Sequence, residues 1–338
     1  MREKITANSF NSLNILIVGD VIVDHYLIGK VERISPEAPV PVVLHEEEQY
    51  SLGGAANVAL NIQALGATPH LLSITGQDEG QQQLVALLEQ SNIKQHYLFS
   101  DPTRRTTLKT RVMARQQQLL RYDYEDVHAI SSVLEQEIVK KVEHIFSKES
   151  IDALVLQDYN KGLLTTSLIQ QLIALAKKWQ VISLADPKKT NFLAYKGIDW
   201  FKPNLREIKE GLGLNMDERT LSTDSLGKAA NQVKKYLDNQ HTIITLGAKG
   251  LYASSPTEAT WMPTKERAVA DVCGAGDTVI SVLAVAVAAQ LPWKTILKLA
   301  NIGGGQVCEK VGVVAVDKEA LLQEYKEEFE DNKDSSIC

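Results

Sequence analysis

The chain has 338 residues, 44% apolar and 23% charged, an ordinary balance for a soluble globular protein with one large domain and a small appendage. Its formal net charge of −6 argues against a nucleic-acid-binding surface, which needs a basic excess, but leaves room for a local basic pocket. Three cysteines, Cys273, Cys308 and Cys338, form no CxxC pair, so neither a disulfide framework nor a zinc site is expected, and a reducing cytoplasm fits best.

Residues 1–12 are polar and lack an apolar core ahead of a cleavage site, so no signal peptide is expected. An apolar run at 15–18 ends at Gly19-Asp20, as a buried strand feeding a loop does. Residues 27–50 carry Pro36, Pro39 and Pro41 among valine-rich stretches and predict part of a small β lid. Helical periods follow at 55–65 and 81–90. Residues 105–122 read as a hairpin, the rest of the lid, with Gln116-Gln117-Gln118 as its turn. Further helical periods at 132–146, 166–177 and 226–237 alternate with strand-like runs at 153–156, 181–184 and 243–246. The first two of these runs lead to Asp158 and Asp186, the third to Gly247. The near-apolar run at 279–289 is too short to span a bilayer and reads as a buried helix, so no membrane partner is expected. A flexible tail is expected at 329–338, leaving 1–328 as one domain. The alternation predicts an α/β fold, a mostly parallel central sheet with helices on both faces and a β lid. Ligands of such sheets bind beyond the carboxyl ends of the strands.

The stretch Asp271-Val272-Cys273-Gly274-Ala275-Gly276-Asp277-Thr278 precedes the buried helix. Free amides at a helix start favour an anion, and two glycines let the backbone close around it. Asp277, in that first turn, is placed either to take a proton from an alcohol or simply to cap the helix; the residues alone leave both readings open. Similarly, Gly53 and Gly54 run into a helix carrying Asn57, whose amide both donates and accepts. That pattern suits a polyol, and equally a tight helix entry. No G-x-x-x-x-G-K-[ST] motif, dinucleotide fingerprint or H-E-x-x-H pattern is present.

Taken together, these motifs resemble the ribokinase/PfkB superfamily of sugar kinases. Gly53-Gly54 with Asn57 and the Asp271–Asp277 stretch match its two signatures. Asn204-Leu205-Arg206-Glu207 resembles its PN-x-x-E motif, and Thr245-Leu246-Gly247-Ala248-Lys249-Gly250 its nucleotide loop. The resemblance spans about residues 13–317. The strings Gly19–Asp24, Arg33-Ile34-Ser35-Pro36-Glu37-Ala38-Pro39-Val40-Pro41, Gln157–Gly162 and Ala185-Asp186-Pro187-Lys188 resemble the branch acting on D-glycero-β-D-manno-heptose 7-phosphate, which serves lipopolysaccharide synthesis. Many members of that branch carry a fused nucleotidyltransferase domain. A chain ending at Cys338 reads as a kinase alone.

The resemblance implies ATP and Mg²⁺ as cosubstrate and cofactor, and Asp277 as base toward the C1 hydroxyl. Gly274, Ala275 and Gly276 would form the anion hole. It places Asp20, Asp24, Gly53, Gly54, Asn57, Arg111 and Lys161 at the sugar phosphate, and Lys188, Asn204, Glu207, Thr245, Gly247 and Gly250 at ATP. Glu207 would meet Mg²⁺ through water, and Asp271 a monovalent cation such as K⁺, which Cys273 in place of the family's threonine puts in question. Lys109, Arg111 and Arg115 share a strand face by their even spacing, and with Arg121 suit a phosphate or a solvated edge. The Cys273 thiol, beside a helix start, is either acidified or simply packed. A homodimer through the lid is implied as well. The alternatives are a kinase for ribose, fructose or fructose phosphate, and a non-catalytic sugar-sensing protein.

Overall fold

The computed structural model describes residues 8–115 and 117–334. Nine strands form the main sheet: β1 (Asn14–Gly19), β4 (Thr68–Thr75), β5 (Gln95–Ser100), β8 (Ala153–Gln157), β9 (Ile182–Asp186), β10 (Trp200–Phe201), β11 (His241–Thr245), β12 (Leu251–Ser254) and β13 (Ala259–Met262). Their order is β13-β12-β11-β10-β9-β8-β1-β4-β5. Neighbours from β11 to β5 pair in parallel, and only β12 is reversed, pairing antiparallel with both β11 and β13.

β1 shows why the sheet is buried on both faces. Ile15 and Ile17 enter one core, with residues of α1 (Ala55–Ala64), α7 (Ala275–Ala288) and α8 (Trp293–Val307). Leu16 and Val18, on the opposite pleat, enter the other, with α3 (Ser132–Lys148), α4 (Thr166–Trp179) and α6 (Thr223–Leu237). Helix starts follow local chemistry. Asp78, Ser131 and Thr165 each accept an amide of the first turn of α2 (Glu79–Gln90), α3 and α4, while Asn204 and Ser222 complete capping boxes on α5 (Leu205–Leu212) and α6.

The lid is a second sheet, ordered β3-β2-β6-β7, from β2 (Val21–Ile34), β3 (Pro41–Gly54), β6 (Leu108–Ala114) and β7 (Gln117–Tyr124). Its strands reach well past the expected 27–50 because β2 continues directly out of the β1 loop and β3 feeds directly into α1. The hairpin is present, but β7 already begins at Gln117, so Gln117 and Gln118 are strand residues, and Gln116 lies outside the described residues. Arg115 sits in the turn at φ 54°, off the strand, and does not share the face of Lys109 and Arg111.

The chain end also departs from expectation. α9 spans Lys318–Asp334, so most of the expected tail is helical, and 335–338 lie outside the described residues. Burial of Leu321 and Leu322 anchors this helix, and the Lys298–Glu328 ion pair ties it to α8. Among the described residues, no helix is long and apolar enough to cross a membrane.

Candidate active site

The carboxyl ends of β1, β8 and β9 converge on the start of α7. Gly274 adopts φ 79°, a left-handed turn that also brings it against Asn57: a Cβ here would meet Asn57 Nδ2 at 2.9 Å. The turn sets Asp277 in the first turn of α7, where it is 4% exposed. Both carboxylate oxygens are held. Asn57 Nδ2 donates to Oδ2 at 2.8 Å, while Gln157 Nε2 and the Tyr159 hydroxyl donate to Oδ1 at 3.0 and 2.7 Å. Burial pushes the Asp277 carboxyl up to about 6, against the pull of the Asn57 and Tyr159 donors. A carboxylate with that value is ionised at neutral pH and remains basic enough to accept a proton.

A charged floor lies beneath the glycine turn. Lys202 Nζ contacts Asp186 Oδ1 at 3.0 Å, and both side chains are almost fully buried. Asp186 Oδ2 and Lys202 Nζ each lie 3.8 Å from where a side chain on Gly276 would begin. Lys188 Nζ pairs with Glu207 Oε1 at 2.5 Å. Burial works against the Lys188 charge, yet Asp186 and Glu207 hold its pKa above the ordinary lysine value. Glu207 is pushed up by burial and by Asp186. Its Oε2 accepts the Asn204 amide and the Asn204 side chain accepts the Glu207 amide, so this pair shapes the start of α5 while presenting one carboxylate edge to Lys188. Thr245, at the end of β11, bridges to Asn204, and Gly247 and Gly250 frame the turn that follows, both at positive φ.

The opposite wall is the lid. Arg111 Nη1 donates to Asp24 Oδ1, and the guanidinium lies 5.3 Å from the Tyr26 ring centroid. Burial raises the Asp24 carboxyl despite Arg111. Gly53 has no room for a side chain, since a Cβ would fall 2.2 Å from Asp24 Oδ2, and Gly54 continues this close approach at φ 59°. Lys109 contacts Asp123 at 2.8 Å and Glu125 at 3.1 Å, and Lys161 contacts the same Glu125 at 2.6 Å. Arg121 is exposed and pairs with Asp123.

Three further residues are defined by what holds them. Asp20 offers little to a ligand: its Oδ2 accepts the amides of Tyr159 and Lys161 at 2.8 and 3.1 Å, its Oδ1 that of Leu163 at 3.4 Å. It is 2% exposed, and burial with the nearby Asp158 pushes it up to about 6, so it secures the 158–163 loop. Cys273 is not acidified. Burial and Asp271 push its thiol up to about 11, outweighing the helix start. Asp271 bridges two loops: its oxygens accept the amides of Cys273 and Gly312 at 3.0 and 3.1 Å. Burial opposes its charge, but these amides hold its carboxyl below the usual range.

Sequence reasoning gave no role to Gln157, Tyr159, Asp186 or Lys202. Their signal was positional: Gln157 and Asp186 close β8 and β9, and Tyr159 and Lys202 follow those strands or β10 within two residues.

The pfkB family carbohydrate kinase model matches residues 12–320. The bifunctional protein HldE of Aliarcobacter butzleri is 37% identical over 324 residues, covering 96% of this chain and 67% of its own length. That of Proteus mirabilis is 40% identical over 314 residues, covering 93% and 64%. The chain thus spans about two thirds of the curated relatives it matches. In fold it is similar to phosphofructokinase-2 from Escherichia coli, solved in complex with potassium, at TM-score 0.78 and 17% identity over 93% of this chain and 98% of that one. It is also similar to Arabidopsis thaliana ribokinase complexed with ribose and ATP, at TM-score 0.71 and 18% identity over 93% and 99%. The fold is therefore ribokinase-like, and with a family model covering nearly its whole length the chain belongs to the pfkB family of carbohydrate kinases and is a sugar kinase.

Proposed function

We propose that this kinase transfers the γ-phosphoryl group of ATP to the C1 hydroxyl of D-glycero-β-D-manno-heptose 7-phosphate, giving the 1,7-bisphosphate. The observation that carries the reaction type is Asp277, buried and ionised at neutral pH, in the first turn of α7 beside the glycine turn. The acceptor hydroxyl gives its proton to Asp277 as its oxygen attacks phosphorus. The amides of Gly274 and Gly276 would face the charge that develops on the transferring group, and that of Ala275, which donates to the Val272 carbonyl at 3.3 Å, would join them only by giving up that bond. Lys188 and Lys202 lie where the phosphates of ATP would approach, with Asn204, Thr245, Gly247 and Gly250 lining the nucleotide side. Asp24, Gly53, Gly54 and Asn57 suit the sugar hydroxyls. Arg111 and Lys161 suit the distal phosphate, although each is paired with a carboxylate in the free protein.

Mg²⁺ fits this donor set in its hydrated form. Among the described residues no group of three acidic, histidine or cysteine side chains is gathered for a metal, and Asp186 and Glu207 each already meet a lysine. Such a site suits an ion held chiefly by water and phosphate oxygens, for which the ion would supply charge neutralisation. Asp271 is the candidate partner of a monovalent cation, tested by comparing turnover in potassium and choline chlorides.

The heptose branch is favoured by the string from Arg33 to Pro41 and by relatives named HldE. A cytoplasmic location fits, since the free thiols of Cys273 and Cys308 persist under reducing conditions. Purified protein with Mg-ATP and a panel of heptose 7-phosphate, heptose, ribose, fructose and fructose 6-phosphate decides the substrate, with products identified by phosphorus NMR. Turnover of ribose, fructose or fructose 6-phosphate without heptose 7-phosphate overturns the assignment.

A further inference from the structure

The loop at 158–163 is held from beneath and reaches across the site. Asp20 grips three of its amides, and Arg104 donates to the Lys161 and His128 carbonyls at 2.8 and 2.9 Å. Asn160 and Gly162 turn left-handed, at φ 54° and 88°, where a Cβ on Gly162 would fall 1.9 Å from the His128 carbonyl oxygen. The loop therefore has little freedom, and it carries Tyr159 to the one oxygen of Asp277 that Asn57 does not touch.

We infer that Tyr159 is a positioning residue for the phosphoryl-transfer base, its hydroxyl fixing the rotation of the Asp277 carboxylate so that the remaining lone pair on Oδ2 faces the acceptor. The hydrogen-bond count carries this. An ionised carboxylate has about four acceptor sites. Oδ1 spends two on Gln157 and Tyr159, and Oδ2 spends one on Asn57. The site left open is on Oδ2. With Tyr159 absent, Gln157 alone holds Oδ1, and the carboxylate can rotate to exchange the two oxygens' roles. Burial and the charge of Asp277 keep the phenol protonated, so it acts as a donor throughout. The Lys188 ammonium, 5.2 Å from the Tyr159 ring centroid, packs this phenol from the nucleotide side. The inference rests on Asp277 being the base.

Tyr159→Phe in the full chain removes one hydroxyl and keeps the ring. The expected result is a fall in kcat of about 10-fold, with KM for ATP within about twofold of wild type. The acid limb of the kcat–pH profile moves upward by about one pH unit, because a donor that favours the ionised carboxylate is gone. Binding of ATP and the thermal melt, measured on the same sample, report folding. A variant that binds ATP and melts as wild type, yet keeps both kcat and the acid limb, overturns the role of Tyr159. If the variant melts early, Gln157→Met supplies the second test, since it leaves the Tyr159 bond as the sole tether of Oδ1; an unmoved acid limb there would overturn the tethering of Oδ1. Asp277→Asn separates the two levels. Near-normal turnover by that variant removes the base itself, whereas its inactivity beside an unaffected Tyr159→Phe removes only the present inference.

Discussion

Asn57 and Asp277 lie 220 positions apart in the chain, yet Asn57 Nδ2 donates to Asp277 Oδ2 at 2.8 Å. The bond joins the two glycine motifs into one site: α1 delivers the amide from beneath the lid, and α7 delivers the carboxylate. Asn57 is itself fixed, because Asn61 donates to its Oδ1 at 3.0 Å and to its main-chain carbonyl at 2.9 Å. The amide nitrogen therefore faces Asp277 and cannot flip without turning its own N–H groups against the Asn61 donor.

Substituting Asn57→Asp keeps the shape and replaces this donor by a second acid. Two carboxyls at hydrogen-bond distance cannot both ionise easily, so one pKa rises sharply. Activity at pH 7 is expected to fall by more than about 10-fold and to recover in part toward pH 9. A kcat–pH profile checks this, and a profile superimposable on wild type would show that the amide does not act on the base.

Wild-type turnover should lose its acid limb near pH 6, where Asp277 takes up a proton and can no longer accept one. The same shift has a stability consequence. The folded pKa of about 6 lies above the ordinary value of 3.8, so the native state binds this proton more tightly than the unfolded chain. The stabilisation is complete below about pH 4 and is lost as pH rises through 6, a change of about 3 kcal/mol at most. Asp277→Asn removes this dependence. Its stability relative to wild type, from urea melts, is therefore expected to increase between pH 4.5 and 7 and to level off above that. A difference independent of pH would mean that the carboxyl titrates normally.

Much of this was legible in the chain. β1, β8, β9 and β11 announce themselves as short apolar runs ending in Asp or Gly, because a strand buried on both faces leaves no polar alternation to confuse the reading. Asp277, Asn57 and the Gly274 turn stood out as glycines running into helix starts, but those residues alone fit a plain helix entry as well, and it was the resemblance to the sugar kinases that marked them as a site. The misses share a cause. Asp20 resembles a ligand because its neighbour Asp24 is placed like one, and only the folded loop shows its oxygens consumed by three amides. Tyr159 and Gln157 reach Asp277 from more than a hundred positions away, which no spacing rule encodes. Arg115 fits an even count from Lys109, but the strand ends at Ala114. For Cys273 both readings stood open in the sequence, and the competition goes to the packed one, because burial and Asp271 overcome the helix start.

That competition makes Cys273 a slow thiol. Raised to about 11, it carries roughly a hundredth of the thiolate of an unperturbed cysteine near pH 8. Cys308 is also pushed up, by burial and Asp271. Iodoacetamide at pH 8 is expected to label neither of these two positions at a rate within about tenfold of glutathione. Peptide mass spectrometry distinguishes them from Cys338, and rapid modification of Cys273 would contradict the arrangement around it.

The lid's two faces have opposite characters, set by strand register. Lys109 pairs with Asp123 and Asp24 with Lys109, so these residues share the face on which Arg111 meets Asp24. Thr110 pairs with Tyr122 and Val112 with Leu120, which puts these on the far face. There Leu120 and Tyr122 are 59% and 58% exposed, Leu44 and Ile34 are exposed elsewhere on the same sheet, and Val40 in the turn between β2 and β3. An apolar set on a four-stranded sheet with two free edges is the chemistry of an interface, and a second copy of this chain is its expected occupant. Light scattering should report a dimer for wild type at micromolar concentration. Leu120→Lys combined with Tyr122→Lys places two cations on that face without touching Arg111, Lys109 or Asp24, and is expected to give a monomer. A wild type that is monomeric, or a double variant that remains dimeric, would remove the lid from the interface.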